Sequence, residues 1–574
     1  MTPYDAFAKA FHRHRTRDPN ARIRLGVSER LGELPDPSLA EARSCVDEAR
    51  SLLTQLDALP RDTLDFDDNL DIDLARLTLE AEIHRQSYTW NGRTRLQQTP
   101  SAGDEIGEGI FQLLINDPRP AEERLADILQ RLEGLPDYLD ALVERLDTPV
   151  ARWAAMDLAK VAELPGLFTN VCDWAEEERW SAGAQLAAAC DHAGSALHDY
   201  SERLRAIPTT EALHLDDETA RRLVALRGID LSFEQLHRIA RDFLARNAEE
   251  LEALRARLAP KYGLAPEASV EALEAELERR HVLDAPDGDF DCILARYEEE
   301  RERIVEFVRQ RDLFPIPDDQ SLRILRTPAF MTPSIPAGAM MSPPPFRSGT
   351  RTSLVYLTLS RELLSEHTEL GIPVMMIHEG IPGHHLQLAA AASHSSIIRR
   401  HMEAMDQAEG WTTMLEDYML DVGYANELAE EVRFTGLRDI ARIGARVAID
   451  LFFMTGERDY LEVGVECDLG PADPFEAAGS LLGAVTGFVP GRVQAELNWY
   501  SQERGYPLSY LAGNHLVWEL KSDVEAAQRG RVEGQELDRA FHRAFLEAGS
   551  MPVRFLRRVF ARKGLLDEAA RPSS

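Results

Sequence analysis

The chain has 574 residues, 44% of them hydrophobic and 28% charged, values of an ordinary folded protein that exclude a disordered or fibrous class. Its 98 acidic against 64 basic side chains leave a net charge of −34, which repels a nucleic-acid backbone and an anionic membrane surface alike. The N-terminal stretch is charged throughout and no apolar run of about 18 residues occurs, so the cytoplasm is the expected location, with neither nucleic acid nor membrane as partner.

From about residue 36 to 330 the sequence repeats amphipathic patterns with apolar residues three and four apart, as in "SLAEARSCVDEARSLLTQLDAL", "DDNLDIDLARLTLEAEIHRQ", "AEERLADILQRLEGLPDYLDALVERL" and "EQLHRIARDFLARNAEELEALRARLA". These predict a long helical scaffold without the fixed period of a solenoid. Residues 327–360 change character: clustered Pro and Gly exclude helix, and the run Ser353 to Leu359 is a short strand candidate, serving either as an edge for an extended substrate or as a core strand. Helical patterning returns at 361 and continues to about 563, before a tail expected to fray. The cysteines Cys45, Cys172, Cys190, Cys292 and Cys467 show no CxxC spacing and are expected to be reduced, structural thiols.

The chemistry concentrates in "MMIHEGIPGHHLQ", residues 375–387. On a regular helix, histidines at i and i+4 share a tetrahedral zinc and the Glu after the first activates its water. Here the position four after His378 is Pro382, and the next histidines are His384 and His385. On a straight helix the first of these points roughly 120° away, and the second shares the face of His378 but lies roughly 10 Å along the axis. A metal site therefore requires a deformation between Glu379 and His384, for which Pro382 and Gly383 are suited. His384 is preferred to His385 as second ligand, because HE-type zinc helices end in a Gly-His pair. A third ligand is sought in "MEAMDQAEGWTTMLEDYML", which offers Glu403, Asp406, Glu409 and Glu416. Glu409 is a workable choice on a helix returning after the turn-capable "ASHSS".

"HEGIPGHHLQ", then "EGWTTMLE", then "ELNWYSQERGYPLSYLAGN" together resemble the DUF885 family of bacterial proteins, in order and spacing over about residues 30–560. The resemblance implies a mainly α, large helical zincin-like metallopeptidase fold with a small β element before the metal-binding helix. It implies a scaffold over 1–326 forming one wall of a channel and a metal-binding catalytic region over 327–574, joined in one continuous fold. It makes His378, His384 and Glu409 the metal ligands, Glu379 the general base, and Tyr510 and then Tyr500 the oxyanion-stabilising hydroxyls. The cofactor so implied is one Zn2+ per chain, a donor set that also admits cobalt or manganese.

Arg446 and Asp450 match the family pattern, but Arg504, Tyr506, Leu511 and Met454 depart from it, which predicts an altered substrate-facing shell. Glu416 either orients a ligand histidine or faces solvent. His367, His394 and His401 are expected at the surface, and Arg347 and Arg351 are either substrate-carboxylate binders or ordinary surface arginines. No nucleotide-binding fingerprint or nucleophile elbow occurs. The expected function is a zinc-dependent peptidase acting on short peptides. The alternatives are a metal-dependent enzyme acting on a small amide-like metabolite and a catalytically silent helical binding protein.

Overall fold

Each of the four quoted amphipathic stretches folds as one helix, and three of the four starts are set by the side chain before them. Ser38 caps Leu39–Asp57 by accepting from the Glu41 amide (3.1 Å), Asp65 caps Phe66–Ser87 through the Asp68 amide (2.8 Å), and Ser232 opens Phe233–Lys261 with a capping box to Gln235. The fourth helix, Ala121–Arg145, follows Pro120. The protein, analysed as a computed structural model, is described over residues 2–283, 285, 289–327, 338–360, 364 and 367–567. Residues 328–337 of the Pro/Gly-rich stretch, residues 361–363 and the tail from 568 lie outside the described residues. The chain is mainly α-helical with two small sheets. Among the described residues no helix is long and apolar enough to cross a membrane.

Apolar side chains from these helices gather into three large clusters. One is built within the N-terminal half, from residues such as Ile106, Leu132, Leu164 and Leu197. The other two tie that half to the C-terminal one: Phe11, Leu70 and Ile304 pack with Ile377, Leu386, Trp411 and Phe545, and Trp153 and Leu236 pack with Val447, Leu497 and Tyr500.

A three-stranded sheet precedes the histidine motif: β1 (Gln320–Arg326), β2 (Gly338–Met341) and β3 (Arg351–Leu357), in the order β1-β3-β2. β3 runs parallel to β1, with Gln320 opposite Arg351, and antiparallel to β2, with Gly338 opposite Leu357. The strand read from the sequence is thus the central one, buried from Ser353 to Leu357, and its backbone is paired on both sides. β1 and β2 are the edges, and Gly338 and Ala339 of β2 line the main cavity.

Six helices carry the rest of the site: α1 (Gly371–Glu379), α2 (His384–Ala392), α3 (Met405–Asp421), α4 (Ala429–Thr455), α5 (Pro490–Gln502) and α6 (Ser509–Gln528). Helices α3 and α6 approach backbone to backbone. A Cβ on Gly410 would lie 2.4 Å from the Gly513 carbonyl oxygen, and one on Gly513 would lie 2.2 Å from that of Asp406.

Candidate metal centre

The motif is two helices meeting at a corner rather than one kinked helix. α1 ends at Glu379 and α2 begins at His384, with a cis Ile381–Pro382 peptide between them. Only glycine fits at position 383, where a Cβ would sit 1.9 Å from the His378 carbonyl oxygen and 2.2 Å from that of Ile377. The corner is fastened to α3 by Trp411, whose indole N–H donates to the Pro382 carbonyl (2.9 Å).

This corner brings His378 and His384 together, edge to face, with ring centroids 4.8 Å apart. Glu409 comes from α3, its Oε2 lying 3.7 Å from His378 Nε2 and 3.4 Å from His384 Nε2. Two ligands about 2.0–2.1 Å from one tetrahedral zinc stand roughly 3.3–3.4 Å apart, so these separations suit a shared ion. All three residues are buried, and their ligand atoms lie within 4.8 Å of one another.

Glu416, further along α3, sits 2.7 Å from His378 Nδ1, which fixes the tautomer so that Nε2 is left toward Glu409. Of the two readings of Glu416 open in the sequence, the structure gives the one that orients a histidine. His385 faces the other way: its nitrogens lie 2.7 Å from Ser353 Oγ and 2.5 Å from Gln320 Oε1, joining α2 to the sheet. Burial pulls that imidazole down to about 4.

The electrostatics of the centre call for a cation. Burial pulls the His378 imidazole down, but Glu409 and Glu416 on its two nitrogens, with Glu379 beside it, outweigh burial and raise it to about 10. Burial pushes the Glu409 carboxyl up, and His384 and His378 hold it well below the usual carboxylate range instead. Glu379 Oε2 and Glu409 Oε2 are buried atoms without a hydrogen-bond partner, which a native interior rarely tolerates unless something else satisfies them. This donor set, two imidazoles and a carboxylate, fits zinc.

Glu379 and Tyr510 join His378 on the wall of a cavity of about 1180 Å³. Burial and the Glu409 carboxylate push the Tyr510 phenol well above its usual range, while the Arg446 guanidinium, 4.4 Å over its ring, opposes them. Tyr500 is placed differently: its fully buried hydroxyl accepts from Arg446 Nε (2.8 Å) and donates to Glu496 Oε2 (2.7 Å), and it is not among the cavity-lining residues.

Of the four departures from the family pattern, Tyr506 alone stands near the centre, packed against Tyr510 with ring centroids 5.9 Å apart and sensing the Glu409 charge. Met454 and Leu511 are core residues. Arg504 is buried against Trp90 and Trp153 and donates to the Leu213 carbonyl. The altered shell expected from those three positions is therefore packing, not cavity wall. The matching Asp450 also acts at a distance, accepting from the Gly505 (3.0 Å) and Leu508 (3.1 Å) amides and so holding the turn that leads into α6 and Tyr510. Two histidines expected at the surface are buried: His367 lies 2.9 Å from the Tyr297 hydroxyl, and His401 lies 2.9 Å from His12. Arg347 and Arg351 bond to Asn116 and Ser393, away from the cavity.

A family model described as "Bacterial protein of unknown function (DUF885)" matches residues 19–560. No curated protein matches the chain. Among solved structures, a candidate lipoprotein of unknown function from Shewanella oneidensis is 19% identical, with a TM-score of 0.75 over 98% of this chain and 100% of that one. Another candidate lipoprotein, from Colwellia psychrerythraea, is 15% identical, with a TM-score of 0.79 over 98% and 99%. Both likenesses show a shared fold.

Proposed function

The chain belongs to the DUF885 family, and from that premise we propose that it is a zinc-dependent hydrolase, a peptidase cleaving short peptides that enter the cavity beside His378. The observation that carries this reading is the convergence of His378 Nε2, His384 Nε2 and Glu409 Oε2 next to a half-buried Glu379 on a cavity wall, its Oε2 without a hydrogen bond.

Those three atoms would hold the ion, with Glu416 orienting His378 behind it. Zinc in such a set supplies Lewis acidity toward a carbonyl and makes water a nucleophile near neutral pH. The remaining work belongs to the chain. Glu379, with no competing hydrogen bond at Oε2, takes the proton of the attacking water and delivers it to the departing amine. Tyr510 offers a hydroxyl proton to the oxygen that gains charge. Its high proton affinity, caused by burial and by Glu409, keeps it a donor at neutral pH. Arg446, 4.4 Å over the Tyr510 ring, and Glu496 are joined through the Tyr500 hydroxyl, which lies off the cavity wall.

The test is cleavage of a mixed short-peptide library by the zinc-loaded protein and its Glu379→Gln variant. The variant is expected to keep about one zinc per chain and to lose roughly 10²–10⁴-fold in turnover. Unchanged turnover in the variant, or no cleavage by the parent, would overturn the reading.

A further inference from the structure

The cavity beside the centre is not electrically uniform. Along α4, Arg438, Arg442 and Arg446 recur at every fourth residue and all line it, joined by Arg492 of α5. Among the described residues, Arg438 and Arg446 are paired with carboxylates on other helices. Arg438 Nη2 lies 2.9 Å from Glu274 Oε2 of helix Val270–His281, and Arg446 Nη2 lies 2.9 Å from Glu496 Oε2 while Nε donates to Tyr500.

Arg442 is different. Its ion-pair partner among the described residues is Asp439, one turn back on the same helix, with a side chain 42% exposed. The charges that reach it are those of Arg446 and Arg492, opposed by Glu416 and Glu496. Glu416 is the carboxylate on His378, so Arg442 stands beside the metal centre. Burial, Arg446 and Arg492 together pull its guanidinium below the usual range. Like charges crowded against a cavity are relieved by an anion, and a planar guanidinium takes a carboxylate on two parallel hydrogen bonds.

We propose that Arg442 holds the free α-carboxylate of the C-terminal residue of a peptide, so that cleavage occurs at that end. The inference rests on the peptidase reading for its substrate class. The hydrolysis is unchanged: the C–N bond breaks, the water oxygen joins the acyl carbon, and the proton passes to the released amine. What Arg442 decides is which peptides are placed.

The experiment reads binding apart from turnover. A randomised N-acetylated tetrapeptide library, made once as free acids and once as C-terminal amides, is equilibrated with zinc-loaded Glu379→Gln protein, and the retained peptides are counted by mass spectrometry. Free acids are expected to be retained roughly 10–100-fold over amides, as the loss of hydrogen bonds to a charged group predicts. Arg442→Gln in the same background should erase that preference, and Arg442→Lys, which keeps the charge but not the fork, should restore part of it. Equal retention of acids and amides, retention of neither, or a preference surviving in Arg442→Gln overturns the proposal. Unmodified enzyme on the same libraries tests the peptidase reading separately: acids retained but never cleaved would sink that reading and leave the carboxylate site standing.

Discussion

Two buried histidines in this molecule, His14 and His378, each lie between carboxylates and are built for different cations. At the first, His14 of helix Pro3–Arg15 lies with Nδ1 3.2 Å from Glu48 and Nε2 3.1 Å from Glu82. Arg17 (2.5 Å) and Arg15 (3.3 Å) already share those two carboxylates. A single proton on the imidazole completes this set. At the second, Glu379, Glu409 and Glu416 surround His378 and His384, and among the described residues the ion pairs of Glu409 and Glu416 are to the two histidines. Among the described residues no guanidinium is paired with either of these carboxylates, and Glu379 Oε2 is left without a hydrogen bond. Buried Glu409 and Glu416 and half-buried Glu379 repel one another unless a concentrated charge sits among them. The first cluster is a proton site that fastens helices together, and the second has the composition of a divalent-metal site.

The sharpest way to break this contrast is to remove one ligand at a time and measure metal by mass spectrometry. His384→Ala and Glu409→Ala should take the protein from about one zinc per chain to almost none. His385→Ala should keep the metal. It strands Ser353 and Gln320, so it should instead lower the melting temperature, by an amount corresponding to about 1–3 kcal/mol. Metal lost with His385 and kept without His384 would reverse the assignment of the two neighbours. A smaller effect separates the carboxylates. Glu416→Gln should weaken zinc roughly 10–100-fold in a chelator competition, as loss of a partner that orients a ligand histidine does. Glu48→Gln, made at the other cluster, should leave zinc affinity where it was.

How much of this the sequence disclosed depends on distance along the chain. The helices were legible because apolar spacing and caps such as Ser38 and Ser232 are local signals. The grouping of His378, His384 and Glu409 was legible from the residue types of the histidine motif and, for Glu409, from the family resemblance rather than from spacing. The corner itself was half legible: Pro382 and Gly383 announced a deformation, but not that the helix would stop and restart. What failed was anything set by packing between remote segments. Arg504 lies under Trp90 and Trp153, and His401 meets His12, pairings that no local pattern encodes. The α3–α6 approach was visible only as two glycines, Gly410 and Gly513, whose confrontation appears once the helices are placed. Arg442 went unread for the same reason, since an arginine in a helix gives no sign of facing a cavity.

The smallest expected effect tests the proton site. Burial lowers the His14 imidazole, but hydrogen bonds and charges from Glu82 and Glu48 outweigh it, so its folded pKa is raised above 6.5. A raised folded value means that the stability it contributes is fully present below 6.5 and is lost as pH climbs through that raised value. Thermal melting of parent and His14→Gln across neutral to alkaline pH should therefore show curves that converge. The variant should sit lower near pH 6, by an amount corresponding to about 1–3 kcal/mol, with the gap narrowing as the parent's imidazole gives up its proton. The series should be run in excess zinc, because in the metal-free protein His378 also titrates on the alkaline side, at about 10, and would add its own slope. Parallel curves would mean that His14 carries no proton in the folded state. The distinction between the two clusters would then rest on the arginines at Glu48 and Glu82 alone.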